Sequence, residues 1–327
     1  MAPELLNSID ADELRKLAAQ VREYQEAKGL SQNGLIKKFP ALGSDKTLRK
    51  ILDNNLVEVD LEKQLTNYRS VVALMNAIED EEEDEQLFDD LIPALEMKRA
   101  FLETSKQATI ARLILIEGDT GMGKTKACLV LARKFGGRLT WCEASQAWSD
   151  KPNALLASIL VSLGVRELPP TQYDRLELAV RLLNESRVCV IIDEAHHLGP
   201  QCLNTIKTLI NRTRGEFILA AMRTLWNRLE RDSYQEVKQL TGNRLAERIR
   251  LQLRETDVEK ILIRRLEISN ADAKKAIPAI MHHAPSRANL AFVREVCKRA
   301  RDAADGEDVT LEILNGAISA EVNRRGV

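Results

Sequence analysis

The sequence predicts an α/β fold flanked by all-helical regions, because three textures follow one another along its 327 residues. Helical periodicity fills Asp10 to Ile78, short β-rich runs alternate with helices from about Phe88 to Leu253, and helical periodicity returns from Glu255 to Val327. Alternation of short apolar strands with helices is the signature of a parallel sheet wrapped by helices. A glycine-rich loop between an apolar strand and a helix, and a second apolar strand ending in two carboxylates, place the chemistry on that sheet. The expected organisation is a helix-turn-helix domain over 1–78, an acidic linker over 79–87, a P-loop core with a five-stranded parallel sheet over 88–254, and a helical lid over 255–327.

The elements are justified in order. Leu14, Leu17, Val21 and Tyr24 recur on one face of a first helix. Two short helices follow, SQNGLIKKF from Ser31 and SDKTLRKIL from Ser44, each opened by a serine in the N-cap position. The connecting FPALG carries a proline and a glycine, so the pair reads as helix, turn, helix. Leu61, Leu65, Tyr68, Val72 and Met75 then mark a longer helix. The run Glu79 to Glu85 has no apolar residue and repels itself, which predicts an exposed linker. Strands are expected at Leu113 to Glu117, Leu139 to Cys142, Val188 to Asp193, Phe217 to Ala221 and Ile249 to Leu253. VEKILIRRLEI and ANLAFVREVCKRA supply the helices of the last region.

Composition narrows the function classes. An apolar content of 44% supplies a core, and charges at 30% cancel to a net of −1, so any nucleic-acid site must be a local patch. Five cysteines (Cys128, Cys142, Cys189, Cys202, Cys297) lack CxxC spacing and sit mostly in apolar runs, as in a reducing cytosol. No apolar run approaches the roughly 18–20 residues that span a bilayer, and the first residues lack the pattern of a secretory leader. A cytoplasmic protein without a membrane partner is expected.

The stretch ARLILIEGDTGMGKT, Ala111 to Thr125, delivers a GxxxxGKT loop from strand to helix, the layout of a Walker A phosphate site. Gly118, Gly121 and Gly123 let the backbone curl so that N–H groups of Asp119, Thr120, Met122 and Lys126 converge with theirs on a phosphate at the helix start. Lys124 is placed to reach the β- and γ-phosphates of ATP, and Thr125 to offer its hydroxyl to Mg2+. VCVIIDEAH, Val188 to His196, has the Walker B pattern, with Asp193 holding the metal and Glu194 polarising water. The spacing places Asp193 on a strand that can lie beside the P-loop strand. The adjacent histidines His196 and His197 are expected to point in different directions from a strand end, and they lack helical i, i+4 spacing. A zinc site is therefore not expected there, nor at His282 and His283. DEAH also spells a helicase motif, but those enzymes need two tandem cores, and only about seventy residues follow this one.

Together the two Walker motifs, five strands and a small helical lid resemble an AAA+ ATPase. EASQAWSDKPNALLASILVSLGV and GEFILAAMRTLWNRLE further resemble the transposition ATPases typified by the phage Mu B protein and its TniB and TnsC relatives, as does the leading helix-turn-helix. That resemblance implies assembly on double-stranded DNA as a homo-oligomeric filament or ring, a transposase partner, and hydrolysis that drives release. It implies a trans-acting arginine just before the last strand, where TGNRLAERIRL offers Arg244 and Arg248, and a sensor 2 arginine at a lid helix start, where APSRANL offers Arg287. At sensor 1 the chain departs, with Ala221 and Met222 where a polar residue is expected and Arg223 and Thr224 just beyond. By analogy, the loop of Trp148 and Lys151 is a candidate DNA contact.

The residues themselves add two further candidates. Lys207, Arg212, Arg214, Arg223, Arg228 and Arg231 outnumber Glu216 and Glu230 between Asn204 and Arg231, a locally basic face suited to phosphate backbone. Lys46, Thr47, Arg49 and Lys50 lie on the second helix of the helix-turn-helix, where they would face a major groove, although helix-turn-helix folds also bind proteins. An ATP-switched, sequence-specific regulator is the alternative function.

Overall fold

The computed structural model describes residues 3–56, 59–106, 112–148, 150–231 and 238–325. Ala111, the first residue of the Walker A stretch, lies outside them. The chain divides into two compact units, Met1–Asp84 and Glu85–Val327.

The first unit is helical. Helix α1 (Pro3–Ala27) is followed by the short α2 (Gln32–Lys38) and α3 (Asp45–Leu52), then by α4 (Leu61–Asp89). Both serine caps form as expected: Ser31 Oγ accepts from Gly34 N at 3.1 Å and Ser44 Oγ from Thr47 N at 3.2 Å. A Pro40–Leu42 turn and Gly43, whose φ of 85° is in the left-handed region, reverse the chain between α2 and α3. Leu14, Val21, Leu35, Leu48, Tyr68 and Val71 close one apolar core. The acidic run behaves differently from expectation. It is helical rather than irregular and continues α4 as far as Asp89, because glutamate is a good helix former. Glu82 pairs with Lys28.

The second unit opens with α5 (Ile92–Lys106) and holds one parallel sheet of β1 (Leu113–Glu117), β2 (Leu139–Glu143), β3 (Cys189–Asp193), β4 (Glu216–Ala221) and β5 (Leu245–Arg250), in the order β2-β3-β4-β1-β5. Every pairing is parallel, with Leu113 opposite Phe217 and Glu143 opposite Asp193. The helices between strands are α6 (Lys124–Lys134), α7 (Pro152–Ser162), α8 (Gln172–Ser186), α9 (Pro200–Arg212), α10 (Thr224–Leu229) and α11 (Lys238–Thr241). Alternate side chains of the strands serve two cores. Leu113, Leu115, Val190, Ile192, Phe217 and Leu219 pack with α7, α8 and α9, whereas Ile114, Ile116, Ile191, Ile218 and Ile249 pack with α5, α6 and the last four helices.

Two expectations are corrected. The strand that ends at Asp193 does not lie beside the P-loop strand, since β4 intervenes. The fifth strand is Leu245–Arg250, four residues earlier than expected. It is an edge strand, pairing with β1 alone, so it needs apolar side chains on one face only, and LAERIR therefore does not read as an apolar run.

The last four helices are α12 (Glu255–Leu266), α13 (Asn270–His283), α14 (Leu290–Ala304) and α15 (Leu311–Arg325). Buried Asp257 of α12 accepts from Ile92 N at 3.0 Å and so caps α5. Glu321 of α15 is fully buried and takes hydrogen bonds from Arg299 Nε (2.7 Å), Arg324 Nη2 (2.6 Å) and Arg325 Nε (2.5 Å). These donors, Arg324 foremost, hold its carboxyl down at about 2 against an ordinary 4.5. A carboxyl depressed by folding adds stability above the unfolded value and loses it as pH falls through the folded one. Acid titration followed by circular dichroism should therefore show stability falling between pH ~4.5 and ~2. Its size is on the order of 2–3 kcal/mol, and the Glu321→Gln variant should lack that part of the pH dependence.

Candidate nucleotide site

The site is built at the carboxyl ends of β1 and β3. Beyond Glu117 the chain stays tied to its neighbours, Gly118 N donating to Ala221 O at 3.3 Å and Leu251 N to Glu117 O at 2.8 Å. Gly121 and Gly123 then adopt φ of 76° and 83°. A Cβ on Gly121 would stand 2.0 Å from Ala288 O, and one on Gly123 would stand 2.6 Å from the Phe88 ring, so both positions exclude a side chain on two grounds. Helix α6 starts immediately afterwards at Lys124, which leaves the N–H groups of its first turn at the loop.

Lys124 is buried, and its Nζ donates to Gly118 O (2.8 Å) and Asp119 O (3.1 Å). Burial lowers its pKa, and Glu194, Asp193 and Asp119 act in the opposite direction. Thr125 Oγ1 donates to Asp193 Oδ2 at 2.7 Å, so the two oxygens expected to hold Mg2+ are already side by side although β4 separates their strands. The other oxygen of Asp193 accepts from Glu194 N at 2.8 Å, which orients the carboxylate. Glu194 itself stands at φ 50° and turns its side chain off the strand direction. Met122 is buried, Asp119 and Thr120 are exposed, and Lys126 is half-buried on the first turn of α6. This donor set of one hydroxyl and one carboxylate beside a glycine-lined loop fits a nucleotide phosphate with a hard, oxygen-seeking dication.

The turn into α14 supplies contacts that the sequence does not announce. Asn289 Nδ2 donates to Thr120 O at 3.2 Å and Ala291 N to Gly121 O at 3.3 Å. These take up carbonyls of the loop and leave its N–H groups for a phosphate. Ala288 and Asn289 reach them only through consecutive left-handed conformations, φ 72° and 52°, which no alanine or asparagine at this position announces in sequence. Arg287 precedes α14 by this turn rather than standing at the helix start as expected. Its Nη1 donates to Ser286 Oγ at 3.0 Å and lies 3.4 Å from His283 Nδ1, and its carbonyl accepts from Arg325 Nη1 at 3.0 Å.

The other arginine candidates separate. Arg248 lies inside β5, not before it, and is engaged within its own chain. It pairs with buried Glu117 at 2.7 Å and stacks on Trp226, its guanidinium carbon 3.5 Å from the ring centre. In this chain the Arg248 guanidinium is thus already partnered by Glu117 and Trp226. Glu117 also pairs with Arg250 at 2.8 Å. Neither Glu117 nor Trp226 stood out in sequence, because a strand-end acid and a lone indole have no spacing signature. Arg244 immediately precedes β5 as expected, its Nε donating to Asn211 Oδ1 at 2.6 Å. After β4, Met222 Sδ accepts from Thr120 Oγ1 at 4.0 Å, while Thr224 is exposed at the start of α10.

His196 and His197 do not diverge. They sit on a 3-10 turn, Ala195–His197, with ring centres 4.2 Å apart, and His196 Nε2 lies 3.3 Å from Glu194 Oε2. Burial lowers the His196 pKa from its ordinary 6.5.

The candidate DNA residues are dispersed. Lys46 and Arg49 are exposed on α3, and Arg49 bonds Gln32 (2.9 Å) and Asp45 (3.2 Å); Lys50 is half-buried. Trp148 packs against the core of α7 to α9, whereas Lys151 is exposed. Lys207 is half-buried on α9. Arg212 is exposed and forms a bidentate pair with Glu177 (2.6 and 2.8 Å), Arg228 donates to His196 O, and Arg214, Arg223 and Arg231 are exposed. All five cysteines are buried and unbridged, and no helix of the described residues is long and apolar enough to cross a membrane.

The parallel sheet, the loop before α6 and the helical end together define a P-loop AAA+ fold. Residues 108–229 match the model of the AAA domain family, and the chain thus carries an AAA domain over the segment that holds both Walker motifs. No curated protein matches the chain. Among solved structures it is similar to the Walker-type ATPase PABY2304 of Pyrococcus abyssi, at 11% identity and TM-score 0.49, over 72% of this chain and 73% of that one. It is also similar to Cdc6p from Pyrobaculum aerophilum, at 16% identity and TM-score 0.47, over 74% and 67%. The Thermotoga maritima RuvB Holliday junction branch migration motor matches at 15% identity and TM-score 0.42, over 70% and 68%.

Proposed function

We propose that this protein is an ATPase that assembles on double-stranded DNA when loaded with ATP and Mg2+, presents that DNA to a transposase or activates it, and disassembles on hydrolysis. The observation that carries the ATP-driven assembly is the placement of Arg244. Lys124, Thr125, Asp193 and Glu194 gather at the carboxyl end of the sheet, whereas Arg244 O pairs with Leu113 N at the opposite end of β1. Five residues of strand separate the two ends by about 16 Å. An arginine there is out of reach of its own chain's phosphates, so a part in hydrolysis would place it at the site of another copy, which supports assembly.

In this reading ATP with Mg2+ supplies the transferable phosphoryl group and part of its charge neutralisation. Lys124 would turn from the Gly118 and Asp119 carbonyls to the phosphate oxygens, Thr125 and Asp193 would hold the metal, and Glu194 would orient the attacking water. Arg287 approaches from the lid, and a neighbour's Arg244 stabilises charge that develops in the transition state, an effect worth ~10³–10⁵ in rate. Exposed Lys46, Arg49, Lys151, Arg214, Arg223 and Arg231 supply phosphate contacts. The transposase partner rests on the resemblance of the segments around Trp148 and Trp226 to the Mu B group.

Filter binding with random-sequence duplexes, with and without ATP, tests the proposal together with electron microscopy. ATP should strengthen binding that weakens steeply with salt, and images should show continuous coverage. Nucleotide-independent monomers would sink the idea. The serine-capped pair of α2 and α3, with Lys46 and Arg49 exposed on α3, favours a second reading as an ATP-switched helix-turn-helix regulator. Footprinting separates the two, since a regulator protects one discrete site.

A further inference from the structure

We infer that Glu194, His196 and His197 form a binding site for a transition-metal dication, specifically Zn2+, beside the Mg2+ position and separate from it. The three side chains bring one ligand atom each to within 4.8 Å of one another. Glu194 Oε2 and His196 Nε2 are 3.3 Å apart. Zn–N and Zn–O bonds of about 2.0–2.2 Å in a tetrahedron require ligand atoms roughly 3.3–3.5 Å apart, so this pair already has the spacing of a tetrahedral edge. His197 is exposed, so its ring is free of the packing that would fix its rotamer and can turn toward the other two.

The local backbone creates the cluster. The left-handed Glu194 and the Ala195–His197 turn gather onto one side three residues that an extended strand would send to opposite faces. The turn is held from outside by Arg228, which donates to His196 O. Two imidazoles and one carboxylate suit a borderline-soft ion and leave a fourth position for water, whereas Thr125 and Asp193 offer only the oxygens that Mg2+ selects. The two ions therefore sort by ligand chemistry.

The consequence rests on the assignment of Glu194 to water activation. An ion that engages its carboxylate withdraws it from that task and leaves Lys124, Thr125 and Asp193 untouched. Zn2+ then blocks turnover while ATP stays bound, holding the protein in its loaded state.

The test is calorimetric titration of ZnCl2 into the nucleotide-free full chain in excess Mg2+, with Co2+ absorption as a reporter of coordination. The expected result is a zinc equivalent bound with a tetrahedral Co2+ spectrum. His197→Ala should weaken its affinity roughly tenfold or more, and His282→Ala, a change in the other adjacent pair, should leave it unchanged. Absence of zinc binding, or equal affinity in the wild type and His197→Ala, overturns the site. Neither readout requires ATP hydrolysis, so failure of the site is distinguishable from failure of the ATPase reading. In a steady-state assay, zinc should inhibit the wild type at concentrations at least about tenfold below those that inhibit His197→Ala. Equal inhibition of both overturns the regulatory consequence.

Discussion

Lys124→Ala is expected to remove the ATP-dependent rise in thermal stability while the protein without nucleotide melts close to the wild type. Among the described residues the buried ammonium bonds the Gly118 and Asp119 carbonyls, and burial already lowers its pKa, so the charge contributes little to folding itself. Its role is toward phosphate, where a charge-assisted hydrogen bond contributes about 1.5–3 kcal/mol, or ~10–100-fold in affinity. At a concentration of ~100 times the wild-type Kd, ligand stabilises by about 2.7 kcal/mol, and a 100-fold weaker variant retains only about 0.4 kcal/mol. For a unit of this size the first figure corresponds to a shift of roughly 5–10 °C and the second to about 1 °C. Differential scanning fluorimetry reads both. An unaltered shift would mean that Lys124 does not face the phosphates.

Glu194→Gln should separate binding from turnover. The substitution keeps shape and one acceptor oxygen but removes the charge that polarises water, and loss of such a group lowers kcat by ~10²–10⁴. Lys124, Thr125 and Asp193 are unchanged, so ATP affinity and any ATP-dependent assembly should persist, and the assembled state should become long-lived. Single-turnover hydrolysis with a parallel measurement of bound nucleotide checks both halves. Normal turnover would exclude Glu194 as the water-activating residue and leave its contact with His196 as its main interaction.

Much of the core was legible because its signals are local. Gly121 and Gly123 at left-handed φ, Lys124 opening a helix and Asp193 closing an apolar strand all follow from spacing over a few residues. Both serine caps of α2 and α3 were legible for the same reason. The fifth strand was misplaced because β5 is an edge with one buried face, and its Glu247, Arg248 and Arg250 mask the apolar alternation. The acidic run is helical because the helix propensity of its glutamates prevails over its charge density. Asn289, Glu117 and Trp226 left no trace in sequence. Their importance comes from partners more than a hundred residues away, Thr120 for Asn289 and Arg248 for Glu117, and, at shorter range, from the stack of Arg248 on Trp226.

Sequence alone therefore determined that this chain carries a P-loop and a strand-end Asp–Glu pair on a parallel sheet, because turn chemistry and strand periodicity are properties of contiguous residues. Tertiary structure alone decided what each candidate arginine touches. Arg248 is bound to Glu117 and Trp226, Arg212 to Glu177, and Arg244 stands at the far end of the sheet from its own loop. It also decided that β4 lies between the two Walker strands, that the lid holds the loop's carbonyls, and that two histidines converge on Glu194. The physical reason is common to all of these. A side chain's charge is fixed by its identity, but whether that charge is paired, buried or free to meet a ligand depends on which distant elements the fold packs against it.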